Sequence, residues 1–206
     1  MRALSTLLAT TLCAAGAAQA EAGDPTGTST GTPRATRTSS GTVSLPRLGP
    51  VEVGQPAPWF AGADALKPSQ TINRRRALAA GRPIALVFFA TWCVPCKVGL
   101  EHLRAGKARL DEAGLGVILV NYRERVEEVT PYLSQHGLQA FRTLTDRFGL
   151  AAKAYGVEKE DLTSLPKTFV IRGDGTVAAI FSEEREDYLD RILAAARYRR
   201  LDQRRP

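Results

Sequence analysis

The chain has 206 residues, 44% hydrophobic and 24% charged, a balance that suits a soluble globular protein with one full core and flanking segments. It is neither a low-complexity chain nor a polytopic membrane protein. The net charge of +7 is dispersed, with clusters only at Arg74-Arg75-Arg76 and in the tail Arg199-Arg200 and Arg204-Arg205. No nucleic-acid reader motif accompanies it, so the charge is read as a solvated basic surface facing an anionic membrane or acidic partners.

Met1-Arg2 gives a short positive start and Ala3 to Ala17 an apolar stretch of small residues. Ala18-Gln19-Ala20 follows as an A-x-A cleavage site before Glu21. Residues 1–20 therefore read as a secretory signal peptide, with an uncleaved anchor as the alternative. Leu12 ahead of Cys13 does not suit a lipoprotein site. Removal of this segment takes Cys13 with it and leaves Cys93 and Cys96 as the only cysteines of an exported, periplasmic chain. No other intramolecular disulfide could then form.

Residues 21–50 are rich in Thr, Gly, Ser and Pro. They lack the apolar surface needed to offset chain entropy and are expected to be a disordered linker. The folded part is expected over 51–201, with 202–206 a basic tail. Its entrance, Val51 to Phe60, holds two prolines and reads as an extended edge segment. Asn73 to Ala80 reads as a short capped helix stopped at Gly81-Arg82-Pro83, and Ile84 to Ala90 as a buried strand. Val98 to about Leu110 has helical spacing, and Val117 to Tyr122 reads as a parallel core strand.

Further on, Arg125 to His136 is an amphipathic helix containing Pro131. Phe141 to Leu144 is a short strand, Arg147 to Tyr155 a helix, and Val157 to Ser164 a polar insertion. Lys167 to Arg172 and Thr176 to Phe181 read as a hairpin around Gly173-Asp174-Gly175. Glu183 to Leu201 closes the chain as an amphipathic helix. Alternating strands and helices with a closing hairpin give an α/β layered fold with a mixed sheet.

The chemistry concentrates where the Ile84–Ala90 strand runs into Cys93-Val94-Pro95-Cys96. A Cys-x-x-Cys at a strand-to-helix junction is a thiol–disulfide redox site. The helix N-terminus offers unpaired N–H groups and positive dipole to the first sulfur, which favours its thiolate. The thiolate is the species that attacks a disulfide, and Cys96, one turn on, reaches the mixed disulfide to release it. Trp92 is read as a flat apolar contact over the sulfurs, with simple core packing as the alternative. Lys97 reads equally well as thiolate support or as a solvated lysine.

His102 and His136 do not complete a zinc site with the two cysteines at any known spacing, so no metal or other cofactor is assigned. No Gly-rich phosphate loop or Ser-His-Asp arrangement appears.

Several stretches together resemble the exported TlpA/ResA-type thioredoxin-like proteins. They are Val53-Gly54-Gln55-Pro56-Ala57-Pro58-Trp59-Phe60, Phe89-Ala90-Thr91-Trp92-Cys93-Val94-Pro95-Cys96, Tyr155-Gly156-Val157 and Leu165-Pro166-Lys167-Thr168-Phe169-Val170-Ile171. The resemblance covers about Val51 to Leu201. It implies a thioredoxin fold, a central mixed β-sheet flanked by helices, and a redox-active Cys93–Cys96 disulfide. It also implies that Pro166 is a cis-proline beside the sulfurs, with Trp92, Val94, Pro95, Leu165 and Pro166 forming the substrate-binding surface. Implied partners are cysteine-containing exported proteins, as in cytochrome c maturation or copper-site assembly, with a membrane thiol reductase as electron donor and this chain a monomer.

Two departures stand out. Val87 occupies the position of the buried thioredoxin aspartate, and Gly99 that of the TlpA/ResA glutamate, so the proton acceptor for Cys96 is open. Glu101 and the acids of Glu158–Asp161 are the candidates. Glu101 also replaces the usual helix-kinking proline. Rival readings are a binding module or copper chaperone on the same scaffold, and a thiol peroxidase.

Overall fold

The structure is a computed structural model and describes residues 50–160, 162–183 and 185–197. The expected signal peptide, nearly all of the linker and the basic tail lie outside the described residues. Nine strands and six helices are seen among the described residues. In chain order they are β1 (Ala61–Asp64), β2 (Thr71–Asn73), α1 (Arg74–Ala77), β3 (Ile84–Phe89), α2 (Val94–Ala105), α3 (Lys107–Glu112), β4 (Gly116–Tyr122) and α4 (Val126–Gln135). The order continues with β5 (Arg142–Asp146), α5 (Leu150–Ala154), β6 (Glu158–Lys159), β7 (Leu162–Thr163), β8 (Lys167–Ile171), β9 (Val177–Phe181) and α6 (Tyr188–Arg197).

Seven strands form one mixed sheet in the order β2-β1-β5-β4-β3-β8-β9. β3, β4 and β5 are mutually parallel, and β8 runs antiparallel to β3 with Lys167 opposite Phe88. All six residues of β3 are buried, as expected for a central strand covered on both faces. Its side chains alternate. Ala85, Val87 and Phe89 pack with Leu100, Leu103, Val129, Leu133, Tyr188 and Ile192 from α2, α4 and α6. Ile84, Leu86 and Phe88 pack with Phe60, Ile72, Ala151, Ala152 and Tyr155 on the other face. The carboxyl ends of β3, β4 and β5 therefore open on one edge, where a sheet of this kind places its chemistry.

The structure refines the expected elements. The helix whose apolar spacing shows from Val98 starts at Val94, so Cys93 stands at its N-terminus as expected, and it breaks at Gly106 into α2 and α3. The helix expected from Arg147 starts at Leu150, because Gly149 turns through φ 68° and the Asp146 carboxylate receives the N–H groups of Ala151 and Ala152. The entrance segment is extended as expected, pairing with the start of β9 through the Pro56–Thr176 bridge and the backbone hydrogen bonds of Gly54, Gln55 and Ala57 with Gly175 and Val177. The polar insertion is a small hairpin, β6 with β7. Pro131 lies within α4, which runs on through it to Gln135. Among the described residues no helix is long and apolar enough to cross a membrane.

Candidate active site

β3 delivers the chain to Ala90, whose carbonyl accepts the N–H of Cys93 at 3.1 Å. That turn makes Cys93 the N-cap of α2, with Val94 and Pro95 in the first turn, where a proline costs the helix no hydrogen bond. Cys93 Sγ accepts the backbone N–H of Cys96 at 3.3 Å. The two sulfurs are bonded to each other across a Cα–Cα distance of 5.3 Å. Both cysteines are buried, at 4% and 2% exposure, while Trp92 and Val94 beside them are 61% and 72% exposed. The reactive bond thus sits under an exposed apolar rim.

The second border comes from β8. Its register with β3 sets Leu165 and Pro166 beside the end of β3, and the Leu165–Pro166 peptide is cis. Leu165 is half-buried against the cluster that contains Cys93 and Cys96.

The third border is a carboxylate. Glu124, in the β4–α4 loop, accepts the Thr91 N–H at 2.8 Å, the Thr91 hydroxyl in a short hydrogen bond, and Asn121 Nδ2 at 2.6 Å. Asn121 is fully buried, and its Oδ1 has no partner among the described residues. Tyr132 stacks on Phe89 with ring centroids 6.1 Å apart. Burial raises its phenol pKa above the ordinary value, and the negative charges of Glu124 and Glu101 raise it further.

The AhpC/TSA family model matches residues 53–180. The chain belongs to the AhpC/TSA family. The thiol:disulfide interchange protein DsbE of Yersinia pestis is 30% identical over 125 residues, 61% of this chain and 61% of its own length. The thiol-disulfide oxidoreductase ResA of Bacillus cereus strain ATCC 10987 is 27% identical over 147 residues, 69% of this chain and 79% of its own length. The match to DsbE thus spans about three fifths of that relative.

Two solved structures share the architecture. A thiol:disulfide interchange protein of the thioredoxin family from Chlorobium tepidum TLS superposes with a TM-score of 0.58 at 23% identity, covering 72% of this chain and 99% of that one. The peroxidoxin BcpB of Mycobacterium tuberculosis gives 0.61 at 21%, covering 71% and 97%. The fold is that of thioredoxin.

In this AhpC/TSA chain, Cys93, Cys96, Trp92, Val94, Pro95, Leu165 and Pro166 all gather at one edge of the sheet. Trp92 is exposed, so core packing does not describe it. Val87 and Gly99 are buried and carry no acid. Of the acids considered from sequence, Glu101 is exposed on α2 and faces a groove with Arg104 and His136. Glu158 is engaged elsewhere, with Arg123, Tyr122 and Lys153. Glu124 escaped the sequence reading. Its signal was its place three residues past Asn121, just beyond the end of a core strand. His102 Nδ1 is buried without a partner among the described residues. No group of three metal-ligating side chains forms among them.

Proposed function

We propose that this chain is an exported thiol–disulfide oxidoreductase that acts on cysteine-containing proteins through the Cys93–Cys96 pair. The observation that carries the reading is the disulfide itself. It sits at the N-cap of α2, its first sulfur accepts a helix N–H, and it lies beside the Leu165–Pro166 turn.

In the reducing direction, the Cys93 thiolate attacks one sulfur of a substrate disulfide. A mixed disulfide forms and the other substrate sulfur leaves as a thiolate. The Cys96 thiolate then attacks Cys93 Sγ, the second substrate sulfur leaves, and the Cys93–Cys96 bond closes. Two electrons pass to the substrate, whose two thiolates take up the protons released by the two cysteines. The helix N–H at Cys93 Sγ favours the Cys93 thiolate that opens the cycle. Glu124 fixes the Thr91–Trp92 approach to the nucleophile.

Trp92, Val94 and Pro95 on one border, and Leu165 with Pro166 on the other, form the contact surface for the substrate segment. We assign the chain to the reducing role in cytochrome c maturation or copper-site assembly, as a monomer re-reduced by a membrane thiol reductase. The likeness to DsbE and ResA, named as thiol-disulfide proteins, supports the reading.

The test is catalysed reduction of insulin with dithiothreitol as electron source, beside hydrogen peroxide turnover under the same conditions. Insulin reduction that requires both cysteines is expected. Peroxide turnover without insulin reduction would replace this reading with a thiol peroxidase.

A further inference from the structure

The β6–β7 hairpin lies between α5 and the Leu165–Pro166 turn, and its attachment reaches across the sheet edge. The Glu158 carboxylate is only 8% exposed. It accepts Arg123 Nε at 2.8 Å and Arg123 Nη2 at 2.7 Å, a bidentate fork. Tyr122 Oη donates to it at 2.9 Å, Lys153 Nζ stands at 3.5 Å, and Thr163 Oγ1 donates to Tyr122 Oη at 3.1 Å.

Two backbone observations show how closely this contact is built. Arg123 holds φ 58°, a left-handed conformation uncommon for a residue with a side chain. A Cβ on Gly149 would stand 2.6 Å from Glu158 Oε2 and 2.7 Å from Arg123 Nε, so the chain leaves that volume to the ion pair.

Arg123 is one residue from Glu124, which holds the Thr91 end of the redox loop. Thr163 is three residues from Pro166, the other border of the disulfide. One buried carboxylate therefore ties together the two loops that carry the two borders. We propose that Glu158 is a positioning residue for protein substrates, setting the placement of the Leu165–Pro166 border against the Trp92–Val94 border. It touches no reacting atom. The inference rests on the thiol–disulfide reading above.

The hydrogen bonds that lower the Glu158 pKa below the ordinary carboxylate value keep the fork charged through the neutral range. A small disulfide needs only the sulfur, whereas a folded protein disulfide must fit between both borders. Loss of the fork should therefore raise KM for a protein and leave small-molecule chemistry unchanged.

The experiment compares the full chain with E158Q and E158D, using insulin and oxidised glutathione as alternative substrates and measuring the midpoint potential of the pair. For E158Q, KM for insulin should rise about fivefold or more, with kcat and the glutathione rate held within about twofold. The potential should not move, and E158D, which keeps the charge, should recover part of the loss. An unchanged insulin KM, or parallel losses on insulin and glutathione, would overturn the proposal. A parent protein that reduces neither substrate would overturn the thiol–disulfide reading, and the positioning role with it.

Discussion

Glu124 and Thr91, 33 residues apart in the chain, are joined by the Thr91 N–H at 2.8 Å and by the Thr91 hydroxyl, both donated to one carboxylate. The parallel register makes this meeting inevitable. Phe89 lies opposite Asn121, so the residues just beyond each strand emerge side by side at the sheet edge. The redox loop is thus anchored from the neighbouring strand and not only from its own helix.

Replacing Glu124 by Gln removes the negative charge, so hydrogen bonds that are charge-assisted become neutral ones. Three hydrogen bonds converge on this group, so E124Q should lose about 1–3 kcal/mol of stability in the oxidised protein. Urea denaturation reads the loss as a lower midpoint at unchanged slope. An unshifted midpoint would show that the loop does not depend on this carboxylate.

C96S removes the resolving thiol and keeps the nucleophile. Incubated with a protein disulfide, it should accumulate a mixed disulfide on Cys93, visible as a covalent adduct by mass and released by dithiothreitol. C93S should form none. Equal trapping by both variants would contradict the assignment of Cys93 as the attacking sulfur.

Gly173 opens the β8–β9 turn under the backbone of Gly81. A Cβ there would stand 1.8 Å from the Gly81 carbonyl oxygen and 2.4 Å from its carbon, and neither backbone atom can rotate away. G173A should therefore destabilise by about 1–3 kcal/mol, the cost typical of forcing extra atoms into a packed site. Thermal unfolding of the oxidised variant measures it.

The Glu158 carboxyl is held below its ordinary pKa, first by the Arg123 hydrogen bonds, against the opposing effect of burial. A depressed folded-state pKa stabilises the fold above the unfolded-state value, and the gain disappears as pH falls through the folded-state value. The stability difference between the parent and E158Q should therefore be largest near neutrality and shrink in acid. A difference that grew on acidification would contradict the ion pair.

The sequence was most legible where a single stretch carried its own reason. β3 and β4 are continuous apolar runs, and both are strands with buried centres. Asn73 caps α1 through the Arg76 N–H, as the sequence predicts, and Leu165–Pro166 is cis, as the family resemblance implies. β1 and β2 were not legible. They are four and three residues long, half-exposed, and exist because β5 offers β1 a register. Glu124 and the Glu158–Arg123 fork were hidden for the same reason, since both contacts join loops that only the folded sheet brings together. The acids that the sequence offers as proton acceptors lie in the redox helix and the insertion, whereas Glu124 meets the redox loop from just beyond β4.

Whether the Cys93–Cys96 pair cycles as a reductant is read from its midpoint potential. Equilibrating the protein in dithiothreitol and glutathione redox buffers and counting free thiols gives the value. One two-electron transition is expected near the thioredoxin end of the scale, roughly −270 mV. A value near roughly −120 mV, or thiols that never close, would contradict it.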